Sequence, residues 1–159
     1  MTPKQADLIR HSFDAIWPVR RKVAELFYRR FFELAPDAQR LFPSDMERQH
    51  LKLMDMIAAI VGALDEHELF QSIIRHTGRQ HADLGVKRPH FDAFGDALIW
   101  CLEHQFGAAF PPELREAWAR PTWARGLSRR RRCAPCLGVS RECSFVRFFV
   151  KPLASRLAS

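Results

Sequence analysis

GRQHADLGVKRPHFDAFGDALIW, residues 78–100, contains a helix end, a stop and a helix start, with a histidine placed where an apolar residue belongs. Phe70, Ile73/Ile74, Thr77, His81 and Leu84 recur at three- and four-residue steps, the spacing of one buried helical face. A helix is therefore expected from about Glu66 to Leu84. Gly85 ends it, and Pro89 restarts the chain into a helix whose inner side carries Phe91, Phe94, Leu98, Cys101/Leu102 and Phe106. His81 thus lies on an apolar seam. A buried polar group without a partner costs on the order of 1–3 kcal/mol, so His81 must bond to something. A core histidine held by a backbone carbonyl and a ligand to a bound group both meet that requirement.

Upstream, the same periodicity continues. Thr2-Pro3-Lys4-Gln5 combines an N-cap, a first-turn proline and a capping-box glutamine, and Leu8, Ser12/Phe13 and Ile16/Trp17 continue the stripe. Pro18 is expected to begin a second helix with Val23, Leu26/Phe27, Tyr28, Phe31 and Leu34 inside. Pro36 opens a short turn ending at Leu41-Phe42-Pro43. A long helix from about Met46 to Leu64 presents Met46, Gln49, Leu53, Met56/Ile57, Ile60/Val61 and Leu64. Gln49 is the second polar residue on an apolar seam; a surface or interface glutamine is the alternative reading. A last helix opens at Pro111-Pro112 and runs through Leu114 and Trp118. No alternating strand pattern is found before residue 130, so the fold class is all-α.

Length and composition narrow the function. A chain of 159 residues is one domain by size, able to enclose a cofactor. No stretch approaches the roughly 18 unbroken apolar residues of a membrane helix. The start, MTPKQADLIRHSFD, lacks the basic-then-apolar order of a signal peptide, so a cytoplasmic location is expected. The four cysteines, Cys101, Cys133, Cys136 and Cys143, are too few and too clustered for a disulfide scaffold. The formal charge of +7 is unevenly spread: residues 1–119 hold 15 Lys/Arg against 17 Asp/Glu, and residues 120–159 hold 10 against one. The basic character belongs to the tail, so it gives no sign of a nucleic-acid face on the main domain.

Four segments in order, FYRRFFELAPDAQRLFP (27–43), LKLMDMIAAIVGAL (51–64), residues 78–100 above and FGAAFPPELREAW (106–118), resemble the globin family. The likeness is to single-domain bacterial globins and the neuroglobin-like branch, and covers roughly residues 3–120. It implies a globin fold with haem b (iron protoporphyrin IX) sandwiched between helices. His81 would be the proximal iron ligand, its other ring N–H oriented by a backbone carbonyl near Thr77. Phe42 would stack on the porphyrin, and Leu53, Val86, Phe91 and Phe94 would wall the pocket. Lys52 at the rim would pair with a propionate, a solvated lysine being the alternative. On the distal side the matching residues are Tyr28, Gln49 and Leu53. Both Tyr28 and Gln49 can donate hydrogen bonds to O2, each worth roughly 1–1.5 kcal/mol. A register shift of one residue would instead make His50 the distal residue and let it bind the iron, so the resting coordination number stays open.

The resemblance implies reversible O2 binding for storage, delivery or scavenging, with NO and CO as further ligands and no dedicated enzymatic role. One alternative is NO dioxygenase or peroxidase activity supplied by an external reductase. Relatives fused to a reductase carry a tyrosine and a glutamate around the proximal histidine; here the tyrosine position falls on Phe91, and no GxGxxG segment follows. A haem-based gas sensor or interaction module is the third reading.

From Pro121 the globin pattern stops, giving a domain at 1–120 and an atypical basic tail at 121–159. Arg129 to Arg132 with Cys133, Cys136 and Cys143 could be read as a nucleic-acid patch beside a zinc site, but three cysteines make an incomplete set. A shifted reading frame explains more. The resemblance calls for a tyrosine four residues after Trp118, and the chain has Thr122. One base restored after Arg120 allows Tyr-Leu-Gly at that place, a reading the gene sequence decides. The final helix is then truncated or replaced, and the apolar FVRFFV run (145–150) is a candidate for self-association.

Overall fold

Thr2 starts the first helix through the reciprocal cap its sequence announces. The Gln5 backbone N–H donates to the Thr2 hydroxyl (3.3 Å), and the Thr2 N–H donates to the Gln5 side chain (3.1 Å). A computed structural model describes residues 1–119, and every regular element among them is helical. Helix α1 spans Pro3–Ile16, α2 Arg20–Leu34, α3 Glu47–Gly62, α4 His67–Asp83, α5 Arg88–Phe106 and α6 Pro112–Ala119. Short 3-10 turns at Trp17–Val19, Pro36–Leu41 and Gly107–Ala109 join them. Expectations for the tail lie outside the described residues.

Helix α2 is the centre of the packing, meeting α5 most extensively and then α3, while α6 lies on α1. Phe27, Tyr28 and Phe31 of α2, Leu53, Met54 and Ile57 of α3, and Leu98, Cys101 and Leu102 of α5 share one core with Ile9, Phe13 and Trp118. Ala24 on α2 and Ala97 on α5 are fully enclosed; small side chains of this kind let helices approach closely. The buried indole of Trp118 donates to Ser12 Oγ at 2.9 Å, and Ser12 donates onward to the Ile9 carbonyl, so the α1–α6 contact leaves neither polar group without a partner. Helix α4 stands apart. Its Phe70, Ile73 and Ile74 form a small second core with Ile60, Ala63 and Leu64, and none of its side chains belongs to the main one.

Four local expectations differ from the structure, the first being Leu34, expected on the inner side of α2 but 39% exposed at its last residue. Pro18 does not open α2; it sits inside a 3-10 turn closed by the Arg20 N–H on the Trp17 carbonyl, and the α-helix begins only at Arg20. On α3 the inward face is turned toward Met54, which is among the most buried side chains, while Met56 and Ile60 are only half-buried. Leu84 is 65% exposed rather than aligned with the seam, because α4 stops at Asp83.

That stop has a defined geometry. Gly85 takes φ +81°, its N–H bonds to the Ala82 carbonyl at 3.1 Å, and the Val86 N–H bonds to the His81 carbonyl at 3.0 Å. This is the Schellman pattern, and it fixes the backbone of His81 itself. A Cβ added at Gly85 meets nothing within 4 Å, so the penalty for substitution there is purely conformational. Gly85→Ala is therefore expected to lower the unfolding free energy by about 1 kcal/mol, read as a lower denaturant midpoint; an unchanged or higher midpoint would contradict this geometry.

Candidate haem site

His81 sits in the last turn of α4. Its Nδ1 lies 2.8 Å from the Thr77 carbonyl oxygen. A carbonyl can only accept, so Nδ1 carries the proton and Nε2 keeps its lone pair. Thr77 is itself buried, and its hydroxyl reaches Met56 Sδ at 3.5 Å. The Phe91 ring stands 5.9 Å from the imidazole at an interplanar angle of 58°. With its carbonyl held by Val86, His81 is fixed at backbone and side chain.

A second group forms where α2 faces the start of α3. Gln49 Nε2 donates to the Tyr28 hydroxyl at 3.1 Å. The phenol oxygen accepts that bond and still has its own proton to give. Burial pushes the Tyr28 phenol up to about 12, and the Gln49 bond opposes that shift less strongly, so the residue is a neutral donor at physiological pH. Phe42 meets the Tyr28 ring edge-on at 5.5 Å, and the His50 ring lies against it at the same separation. Gln49 therefore reaches the hydroxyl while His50 reaches the ring.

Of the other residues singled out from the sequence, Leu53 is buried in the main core, and Val86, Phe91 and Phe94 are half-buried. Phe94 lies edge-on to Phe27 at 4.9 Å. Phe42 is half-buried just after the Pro36–Leu41 turn, and Lys52 is exposed.

Sequence reasoning missed one pair. His90, only 5% exposed, accepts the Lys87 backbone N–H at Nδ1 (3.2 Å), so its Nε2 carries the proton facing Asp37 Oδ2 at 3.0 Å. The His90 hydrogen bond holds the Asp37 carboxyl below its ordinary range. The bridge ties the turn before Phe42 to the start of α5, just ahead of Phe91. Its one sequence signal is a histidine in the first turn of a proline-initiated helix.

The donor set fits haem. A neutral imidazole whose Nδ1–H is spent on a backbone carbonyl presents Nε2 as a metal ligand in the required tautomer. The ring beside that imidazole, Phe91, is apolar, as the wall of a dry pocket with few polar groups must be.

Tyr28 is the sole tyrosine of the chain, so its titration can be followed without ambiguity. Its folded value exceeds the unfolded value of about 10, so its contribution to stability is complete below pH 10 and is lost as pH rises through about 12. Phenolate absorbance should therefore appear near pH 12 in the native chain and near 10 in denaturant. A native midpoint near 10 with helical circular dichroism intact would contradict the buried placement.

Residues 25–121 match the family model described as Globin. The chain is 29% identical to neuroglobin of Tetraodon nigroviridis and 27% identical to neuroglobin of Danio rerio, each over 132 aligned residues covering 74% of this chain and 83% of the relative. Together with the all-α fold, these matches show that the chain belongs to the globin family, the haem-based binders of small gases.

Proposed function

We propose that this globin is of the single-domain bacterial type and binds O2 reversibly on haem b in the cytoplasm, for storage, delivery or scavenging. Residues 1–120 are its globin domain and 121–159 an atypical tail. Haem, when bound, supplies an iron centre at which a diatomic gas coordinates. His81 holds it through Nε2, with Phe42, Leu53, Val86, Phe91 and Phe94 excluding water around it. The exposed ammonium of Lys52 is free to meet a propionate.

The observation that carries this reading is the Gln49-to-Tyr28 hydrogen bond. Gln49 holds the phenol in place and, by donating to its oxygen, strengthens the phenol as a donor. The phenol proton is then directed at a ligand bearing partial negative charge, such as O2, more than at CO. NO is a further ligand, and an external reductase would keep the iron in its ferrous form.

The NO dioxygenase alternative is less well supported. The partner of His81 Nδ1 is a neutral amide carbonyl, and the ring beside the imidazole is Phe91, which has no acceptor. Among the described residues, the His81 Nδ1 hydrogen bond goes to this carbonyl, which orients the ring without making it more anionic as a carboxylate would.

Tyr28→Phe should accelerate O2 release by about tenfold, the equivalent of one hydrogen bond. If Gln49 acts through Tyr28, Gln49→Leu should speed release on its own yet add little in the Tyr28→Phe background. Stopped-flow off-rates of the four proteins test both statements. An unaltered off-rate in Tyr28→Phe would place the phenol away from the gas, and additive effects would mean the two side chains act independently.

A further inference from the structure

We propose that His90 and Asp37 are positioning residues for the haem pocket, a latch that ties its proximal side to its distal side and slows haem loss. This role rests on the haem-binding reading above. The two segments it joins are far apart in sequence, with Asp37 in the Pro36–Leu41 turn and His90 in the first turn of α5. His90 is buried, and both of its ring nitrogens are engaged. Nδ1 accepts the Lys87 N–H at 3.2 Å, and the Nε2 proton meets Asp37 Oδ2 at 3.0 Å. Lys87 caps α5, so the imidazole is anchored to the start of that helix. Among the described residues, no other side-chain hydrogen bond or ion pair joins the turn to α5.

Each end of the latch adjoins a pocket residue. Phe91 follows His90 directly, and its ring lies 5.9 Å from the His81 imidazole. Phe42 closes the turn that carries Asp37, its N–H bonded to the Gln39 carbonyl at 3.1 Å. The Phe42 ring meets Tyr28 edge-on at 5.5 Å and Phe32 at 5.3 Å. The bridge therefore restrains the ring beside the proposed iron ligand relative to the ring beside the distal phenol. Helix α4, which carries His81, contributes nothing to the main core, so that core does not supply the restraint.

The bond itself is of a strong kind. The His90 hydrogen bond, with a smaller effect of the Arg40 charge, holds the Asp37 carboxyl below its ordinary range, so the acceptor is an anion. The Asp37 side chain is 56% exposed, whereas the imidazole is enclosed. Opening the latch thus leaves a buried N–H without its acceptor, which favours the closed form.

The full-length chain is loaded with haemin, and haem loss to an excess of a competing apoglobin is followed by the Soret absorption. His90→Leu and Asp37→Ala should each speed haem loss by about tenfold, and the double variant should lose it no faster than either alone. Asp37→Asn keeps an acceptor and His90→Gln keeps a donor, so both should retain haem better than the disruptive substitutions. In the haem-free chain, Asp37→Ala should also bring the Tyr28 phenolate midpoint down from about 12 toward the ordinary value of about 10, as Phe42 loosens over the phenol. Ser12→Ala, which breaks the buried Trp118 bond at the α1–α6 contact, controls for lost stability and should move neither reading. Asp37 lies at the surface, so its variants carry the test even if far-UV circular dichroism shows that His90→Leu does not fold. If the unaltered chain takes up no haem, the haem-binding reading fails and the phenolate midpoint alone decides the latch. The proposal is overturned if Asp37→Ala leaves haem loss and the phenolate midpoint unchanged, if Ser12→Ala moves them as far, or if Asp37→Asn and His90→Gln lose haem as fast as the disruptive substitutions.

Discussion

The hydrogen bond from His81 Nδ1 to the Thr77 carbonyl, 2.8 Å long and one helical turn in reach, decides what this helical chain can hold. A carbonyl has two lone pairs, so it can take the ring proton in addition to its ordinary helical bond. The proton is thereby fixed on one side of the imidazole and the lone pair on the other. That tautomer is the one a metal ligand needs, and it comes from backbone geometry rather than from a charged neighbour. The same residue is fixed from below by the Schellman turn, in which Gly85 adopts a conformation that L side chains resist so that Val86 can bond the His81 carbonyl.

The distribution of the core follows from the same division of labour. Helices α1, α2, α3, α5 and α6 share one packed interior, while α4 is joined to the end of α3 by a small cluster of its own. The helix that carries the proposed iron ligand is therefore not locked into the interior that carries Tyr28. The Gln49–Tyr28 pair is built on the main core, where a 6% exposed phenol stays protonated because burial penalises its anion. Across the chain, the His90–Asp37 bridge links the segment before Phe42 to the start of α5. Each polar group discussed has a nearby partner that explains its cost of burial, except His50 Nδ1.

Much of the fold was legible because its signals are local. The Thr2/Gln5 cap, the stop at Gly85 and the proline-initiated starts of α5 and α6 each depend on residues within a few positions of one another. The seam logic also found Gln49 and His81, since a polar residue on an apolar stripe needs no partner to be noticed. What failed was rotational phase: Met54 was passed over in favour of Met56, and Leu84 was placed inside, because a stripe read at steps of three and four leaves a choice of neighbours. Pro18 was misplaced since proline suits a 3-10 turn as well as a helix start. Contacts between residues far apart, such as His90 with Asp37 across 53 positions, leave no periodic trace in one sequence. Family membership was legible from the order of four segments; the branch and the roles of individual side chains are what we propose.

The most direct test of the central claim is a haem titration of the His81→Gly chain, followed by its Soret absorption, with and without added imidazole. The expected result is loss of stoichiometric, tight haem uptake in the variant and its recovery when free imidazole fills the place of the missing ring. Stoichiometric uptake with an unchanged spectrum in His81→Gly, without imidazole, would show that another group holds the iron and would contradict the role assigned to His81.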